Sequence, residues 1–338
     1  MSICFLPQLT GISGPPNFQN RLIGQFLSRG IEVHHNPEKA SGDALLINGG
    51  TRRIPSVWRA RKRGVKIIQR LNGINWIHKQ RFTGIKHFLR SEWNNYLLAF
   101  IRSQLADKII YQSNFSKNWW HQVYGKTKAQ ETVIYNGVDL NEFSPGGDHA
   151  RPQDHIRLLM VEGGLGTGNE QGLDNAIQLA STLALNTAEE IELMVVGRVP
   201  EELIRSTGKK EGVSIHWAGT VSPEEIPFID RSAHLLFSAD LNAACPNSVI
   251  EALACGLPVV TYNTGALVEI VTGDAGRVVP YGSNHWKLEK PAVEPLARAA
   301  SEILSNQPGF RAGARQRAAD AFDLTKIADQ YLDVLMTP

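Results

Sequence analysis

Cysteine is scarce in this 338-residue chain, which has three: Cys4, Cys245 and Cys255. An odd number without metal-ligand spacing gives neither a disulfide framework nor a metal site, and reduced thiols in the cytoplasm are the simplest expectation. No apolar run approaches the roughly 18 residues that a transmembrane helix needs. The start, "MSICFLPQLTG", has neither a basic n-region nor a full apolar core, so it reads as a first strand rather than a signal peptide. Acidic residues are missing over one long segment: between Ala44 and Ser91 stand twelve Lys and Arg and no Asp or Glu. The whole chain carries only +2, so the remainder is net acidic. A segment charged in this way attracts anions or must face them.

What is present is a soluble, globular composition, 42% hydrophobic and 20% charged, which excludes disorder. The length favours two domains of roughly 150 residues. Short apolar runs such as "SICFLPQ", "ALLING", "VKIIQRL" and "KIIYQ" alternate with helical stretches, among them "VWRARKRG", "HFLRSEWNNYLLAFIRSQL" and "NFSKNWWHQVYG". That alternation predicts a parallel sheet with crossover connections. "NGVDLNEFSPGGDHARPQDH" breaks the rhythm, and a second series follows: "IRLLMVEGG", a helix over 173–185, "IELMVVG", "VSIHWAG", "HLLFSAD" and "PVVTYN". The expected fold class is therefore α/β, with two Rossmann-like β/α/β domains facing each other across a cleft. The domains are expected at 1–145 and 156–318, joined by a linker at 146–155. A last helix, within 319–338, is expected to pack back toward the N-terminal domain.

The stretch "AACPNSVIEALACGLPVVTYNTG", residues 243–265, condenses a helix start, a helix stop and a strand. "SVIE" fits a capping box between Ser248 and Glu251, while Gly256 suits a helix C-terminus and Pro258 blocks continuation. "ACPN" would present unpaired backbone N–H groups to phosphate or hydroxyl oxygens. Because Pro246 has no N–H, Asn247 and Ser248 are the donors expected there. This stretch, with "NTGALVEIV", "GDAGRVVPYG" and "VIYNGVDLNEFSP", resembles the family-4 retaining glycosyltransferases of GT-B fold. The resemblance implies transfer of a sugar from a nucleoside diphosphate donor to an acceptor hydroxyl with retention of configuration. It implies no cofactor and no bound metal. By position, Glu251 matches the family's ribose-binding glutamate, and two carboxylate acceptors suit a vicinal diol.

Three positions depart from the family pattern. Ala243 stands where the first motif glutamate is usual, and Gly164 and Gln171 stand where an Arg and a Lys usually neutralise the leaving diphosphate. Asn242 and Asp240 are neighbours able to replace the lost carboxylate. Charge at the diphosphate could come from backbone N–H groups of "GGLGTG" or from Arg198 in "VVGRVP". In the N-terminal half, Gly11 and Gly14 of "TGISGPP" are candidates for a loop facing the donor phosphates, and Asn72 and Trp76 of "RLNGINW" for the acceptor side. The expected partners are a nucleotide-sugar donor, a glycan, lipid-linked or small-molecule acceptor, and an anionic membrane surface met through residues 52–90. No nucleic-acid-binding motif is present. The expected setting is cytoplasmic, at the inner face of a membrane where the basic segment engages one. The alternative is a non-catalytic relative that binds a nucleotide or glycan or scaffolds a partner.

Overall fold

The computed structural model describes residues 2–11, 14–40, 44–165, 170–208 and 210–337. The chain divides into two units, Met1–Gly137 with Phe322–Pro338, and Val138–Ala321.

In the first unit β1 (Ser2–Leu6), α1 (Gly14–Ser28), β2 (Glu32–His34), β3 (Ala44–Asn48) and α2 (Ile54–Lys62) lead into β4 (Lys66–Leu71). After it come α3 (Ile85–Phe100), β5 (Lys108–Tyr111), α4 (Asn114–Tyr124) and β6 (Gln130–Val133). The strands pair in parallel in the order β2-β1-β3-β4-β5-β6. The central strands are largely buried on both faces because helices cover both, as in "ALLIN" of β3, where all five residues are buried. The final helix, Leu324–Met336, belongs to this unit. Its Ile327, Ala328, Tyr331 and Leu335 share one apolar cluster with Ile3, Phe5, Phe18, Leu22 and Ile110.

Polar order continues at the carboxyl ends of these strands. Arg70 is buried, and its guanidinium donates to the side-chain oxygens of Asn48 (2.8 Å), Asn72 (3.1 Å), Asn136 (2.5 Å) and Tyr331 (3.1 Å). Neutral acceptors at this many positions replace the water that a buried cation loses.

In the second unit β7 (His155–Gly164), α5 (Glu170–Asn186), β8 (Glu190–Arg198), α6 (Glu201–Ser206), β9 (Val213–Gly219), α7 (Ile226–Arg231) and β10 (Leu235–Ser238) come first. They are followed by α8 (Asn247–Ala254), β11 (Val259–Tyr262), α9 (Leu267–Ile270), β12 (Gly276–Val279), α10 (Glu294–Ser305) and α11 (Gln307–Ala321). The sheet is again parallel, in the order β12-β11-β10-β7-β8-β9. Strand order therefore reverses between β7 and β10, the doubly wound arrangement. The division between units falls at Gly137/Val138 rather than in the run 146–155. Phe143 is buried, and Arg315 of α11 donates to the carbonyls of Leu140 (3.0 Å) and Phe143 (2.8 Å), which ties this segment to the second unit.

One carboxylate in the first unit makes acid sensitivity testable. Burial alone would raise the Glu131 carboxyl, but hydrogen bonds from His121 and Tyr111 and the charges of His121 and Arg102 outweigh it and hold it below its ordinary 4.5. A group depressed in this way adds stability that is complete above its unfolded value and is lost as pH falls through the folded one. Wild-type protein should therefore exceed Glu131→Gln in urea midpoint at neutral pH, and the gap should shrink as the pH falls below 4.5. A gap of constant size across that range would exclude a charge-based role.

Candidate functional site

In an open doubly wound sheet, ligands lie outside the carboxyl ends of the strands where strand order reverses. In the second unit that place is the carboxyl edge of β7 and β10, the origin of residues 165–169 and 239–246. Residues 166–169, which include two glycines of "GGLGTG", lie outside the described residues, as do residues 12–13 of "TGISGPP".

β7 ends in a bulge. Its register with β8 runs evenly from His155 opposite Glu190 to Val161 opposite Val196, then shifts so that Gly164 faces Arg198. Gly197 makes the bulge possible. It has φ +133, and a Cβ there would lie 1.7 Å from the Glu162 carbonyl oxygen, so only glycine fits. The shift sets Gly164 beside Arg198, and a Cβ on Gly164 would lie 3.8 Å from Arg198 Nη2. The Arg198 side chain is exposed, and among the described residues its guanidinium has no hydrogen-bond or ion-pair partner. A cation on the second strand thus stands next to the position that lacks one on the first. Gln171, by contrast, is committed elsewhere: its amide donates to Tyr281 Oη (3.1 Å) and to the Glu289 carbonyl (3.0 Å). It ties the start of α5 to the segment after β12.

The same edge holds an acid pair that sequence reading did not assemble. Burial and the charge of Asp240 push the Glu162 carboxyl well above its ordinary range, and burial raises Asp240. The available signal was a lone Glu at the end of an apolar strand, "LLMVEGG". Two residues on, Asn242 adopts φ 58 and is 4% exposed, and neither side-chain polar atom has a partner among the described residues. Its loop is pinned: Ala266 N–H donates to the Ala243 carbonyl (2.8 Å) and Thr264 Oγ1 to the Asp240 carbonyl (3.2 Å). Gly265 is required at this contact, since a Cβ there would lie 2.5 Å from Ala243 N. Ala243 itself offers only backbone.

α8 starts earlier than the capping box requires. Asn247 is its first residue, and Pro246 is the N-cap with no side-chain capping bond. The reason is proline's fixed φ, here −71°, with an extended ψ that leaves its carbonyl free to accept from Ile250 N–H (3.4 Å). Asn247 and Ser248 are thus in the first turn, both half-buried, and Glu251 is buried in mid-helix at 8% exposure. Gly256, φ +69, ends the helix as expected, and Leu257 N–H reaches back to the Ala252 carbonyl (2.8 Å). Glu251 also acts on its surroundings: burial first, then the Glu251 charge, drives Asp230 well above its ordinary range.

In the first unit Gly11, φ +103, and Gly14, the first residue of α1, are exposed. Asn72 has less freedom than an acceptor ligand needs. Its carbonyl accepts from Trp120 Nε1 (2.7 Å) and Ser116 Oγ (3.2 Å), and its amide oxygen from Arg70 and Gln112. Trp76 is half-buried at the head of a short turn over Ile77–Lys79. His78 is buried and lies 2.7 Å from Glu92, locking that turn to α3.

Two family models match the chain. Residues 19–142 match Glycosyltransferase Family 4, and residues 166–320 match Glycosyl transferases group 1. Among curated proteins, the GDP-mannose-dependent alpha-(1-6)-phosphatidylinositol dimannoside mannosyltransferase of Mycobacterium tuberculosis is 27% identical over 240 residues, covering 68% of this chain and 57% of that protein. The D-inositol 3-phosphate glycosyltransferase of Salinispora arenicola is 28% identical over 241 residues, covering 64% and 51%. The chain thus spans about half the length of the curated relatives it matches. Among solved structures, sucrose-phosphate synthase from Thermosynechococcus elongatus superposes with a TM-score of 0.74 at 15% identity, covering 98% of both chains. That likeness is one of fold, the two Rossmann-like domains of GT-B.

The bulge makes opposite demands on two adjacent glycines. Gly197→Ala should cost about 3 kcal/mol or more in urea unfolding, whereas Gly164→Ala should stay within about 0.5 kcal/mol. Equal effects would mean that the bulge is not what fixes Gly197.

Proposed function

We propose that this chain, which carries the two domains of a GT-B family-4 glycosyltransferase, moves a sugar from a nucleoside diphosphate donor to an acceptor hydroxyl with retention of configuration. The observation that carries the reading is the juxtaposition of Gly164 and Arg198 at the strand-order reversal of the second unit. A position that has lost its cation there has one restored from the neighbouring strand. On this reading the Glu251 carboxylate holds the ribose diol, the first turn of α8 offers Asn247 and Ser248 N–H groups, and Arg198 neutralises the diphosphate. The bond from the anomeric carbon to phosphate oxygen breaks as the acceptor oxygen attaches on the same face. The leaving diphosphate then takes the acceptor proton, so no separate protein base is needed. Arg198 supplies charge that a metal ion provides in other transferases.

Donor and acceptor classes follow from chemistry and from the relatives. Both relatives act, by their names, on inositol carrying a phosphate group or phosphatidyl group. The acid-free segment 44–91 lies in the first unit and suits an anionic acceptor of that kind. Asn242, buried with both amide atoms unpartnered, is the residue best placed to take over donor-sugar recognition from Ala243, since an unsatisfied buried amide costs about 1–3 kcal/mol until a ligand meets it.

The test is thermal unfolding with UDP, GDP and ADP and their sugar conjugates, in the absence of metal. One nucleotide at ~100 times its Kd should stabilise by about 2.7 kcal/mol. Arg198→Ala should weaken diphosphate binding by about tenfold to a hundredfold and leave nucleoside binding unchanged. Glu251→Ala should weaken both. Stabilisation without hydrolysis or transfer of any donor sugar would identify a non-catalytic binding relative, and no stabilisation at all would refute the donor site.

A further inference from the structure

Helix α3 turns a stripe of large apolar residues outward. Across Ile85–Phe100 the only buried residues are Ser91 and Asn95, both polar. Leu97 and Phe100, near its end, pack partly buried against the core cluster of Leu45 and Ile47, but four large apolar residues face outward: Ile85 is 71% exposed, Leu89 62%, Trp93 57% and Tyr96 61%. These four recur at helical spacing and therefore form one continuous stripe. Phe82, 87% exposed, extends it beyond the helix start. Scattered apolar residues on a surface are ordinary, but a contiguous aromatic and aliphatic stripe marks an interface.

The polar side of the helix is anchored and does not compete for that stripe. Asn95 Oδ1 accepts from the backbone and side-chain N–H groups of Asn75, and its amide donates to the Asn75 carbonyl. Glu92, the one acidic residue of the helix, is engaged by His78 (2.7 Å) and Lys79 (3.1 Å). Lys86 and Arg90, exposed among the apolar residues, have no hydrogen-bond or ion-pair partner among the described residues. On the preceding basic helix α2, Lys62 sits 3.6 Å over the exposed Trp58 ring. No described helix is long and apolar enough to cross a membrane.

We propose that the outer face of α3 lies in the surface of an anionic phospholipid bilayer, with Ile85, Leu89, Trp93 and Tyr96 seated at the boundary between headgroups and acyl chains. Trp and Tyr suit that depth, since each joins an apolar ring to a polar tip. Lys86 and Arg90 reach lipid phosphates beside it. Lipid is favoured over a second copy of the chain because the cations would face their own kind across a twofold interface. It is favoured over nucleic acid because the centre of the face is aliphatic rather than cationic. The inference does not depend on the transfer reaction.

Flotation of the full chain with vesicles tests it. The protein should float with phosphatidylcholine vesicles containing phosphatidylglycerol, float much less with phosphatidylcholine alone, and be released by high salt. Lys86→Gln with Arg90→Gln should lower partitioning by about thirtyfold. Leu89→Ser with Trp93→Ser should abolish flotation even at low salt, while thermal unfolding and nucleotide-induced stabilisation stay as in the wild type. Flotation that survives the Leu89/Trp93 change would overturn the proposal. So would a wild-type dimer in sedimentation that the same change dissolves, which would make the face a contact between copies. Loss of nucleotide stabilisation with intact flotation would bear on the donor site alone.

Discussion

Parallel strands cannot be joined by a tight turn, and this constraint organises both units. Each strand must be followed by a crossover, so every strand leaves its sheet at the same edge. Helices then cover both faces, and the central runs of strands such as β3, β5, β10 and β11 are mostly apolar. Polar chemistry is displaced to the carboxyl edge. In the first unit that edge holds Arg70 among asparagines. In the second it holds Glu162, Arg198, Asp240 and Asn242. The two edges use polarity differently. The first engages Arg70 with four side-chain acceptors, while the second keeps an open cation, a crowded acid pair and an unsatisfied amide.

Those open features lie beside two of the second unit's departures from the family pattern, Gly164 and Ala243. A bulge in β7 costs ladder hydrogen bonds, and Gly197 allows it by giving up its side chain. In exchange the end of β7 moves by a register step, which sets Gly164 opposite Arg198 of β8. Substitution at Gly164 is therefore coupled to backbone geometry, and neither is intelligible alone. Glu162 and Asp240 lie at the same edge, where burial raises both carboxyls and the charge of Asp240 raises Glu162 further.

Strand runs such as "ALLIN" and "VVTY" were legible because burial on both faces leaves an uninterrupted apolar signal. Helix stops at Gly64, Gly125 and Gly256 were legible because each takes a positive φ. The capping box was not, since Pro246 supplies a competing start that local pattern alone cannot rank above Ser248. Sequence could not show that Asn72 is also structural: Trp120 and Ser116 donate to its carbonyl and Arg70 to its amide oxygen. Glu162 and Asp240 are far apart in sequence and meet only through strand order, so no spacing could reveal them. For α3, which side would be buried depended on Asn95 finding Asn75 and on Leu97 and Phe100 finding the core cluster.

The discontinuous make-up of the first unit has a consequence for biogenesis. The second unit is a single contiguous run, whereas the first needs residues from both ends of the chain. On the ribosome, the second unit therefore has its full complement of residues before the first does. Until Tyr331 emerges, Arg70 lacks one of its acceptors and the cluster around Phe18 and Ile110 lacks a wall. The first unit begun is thus the last one finished, and during that interval its exposed apolar side is a natural substrate for chaperones.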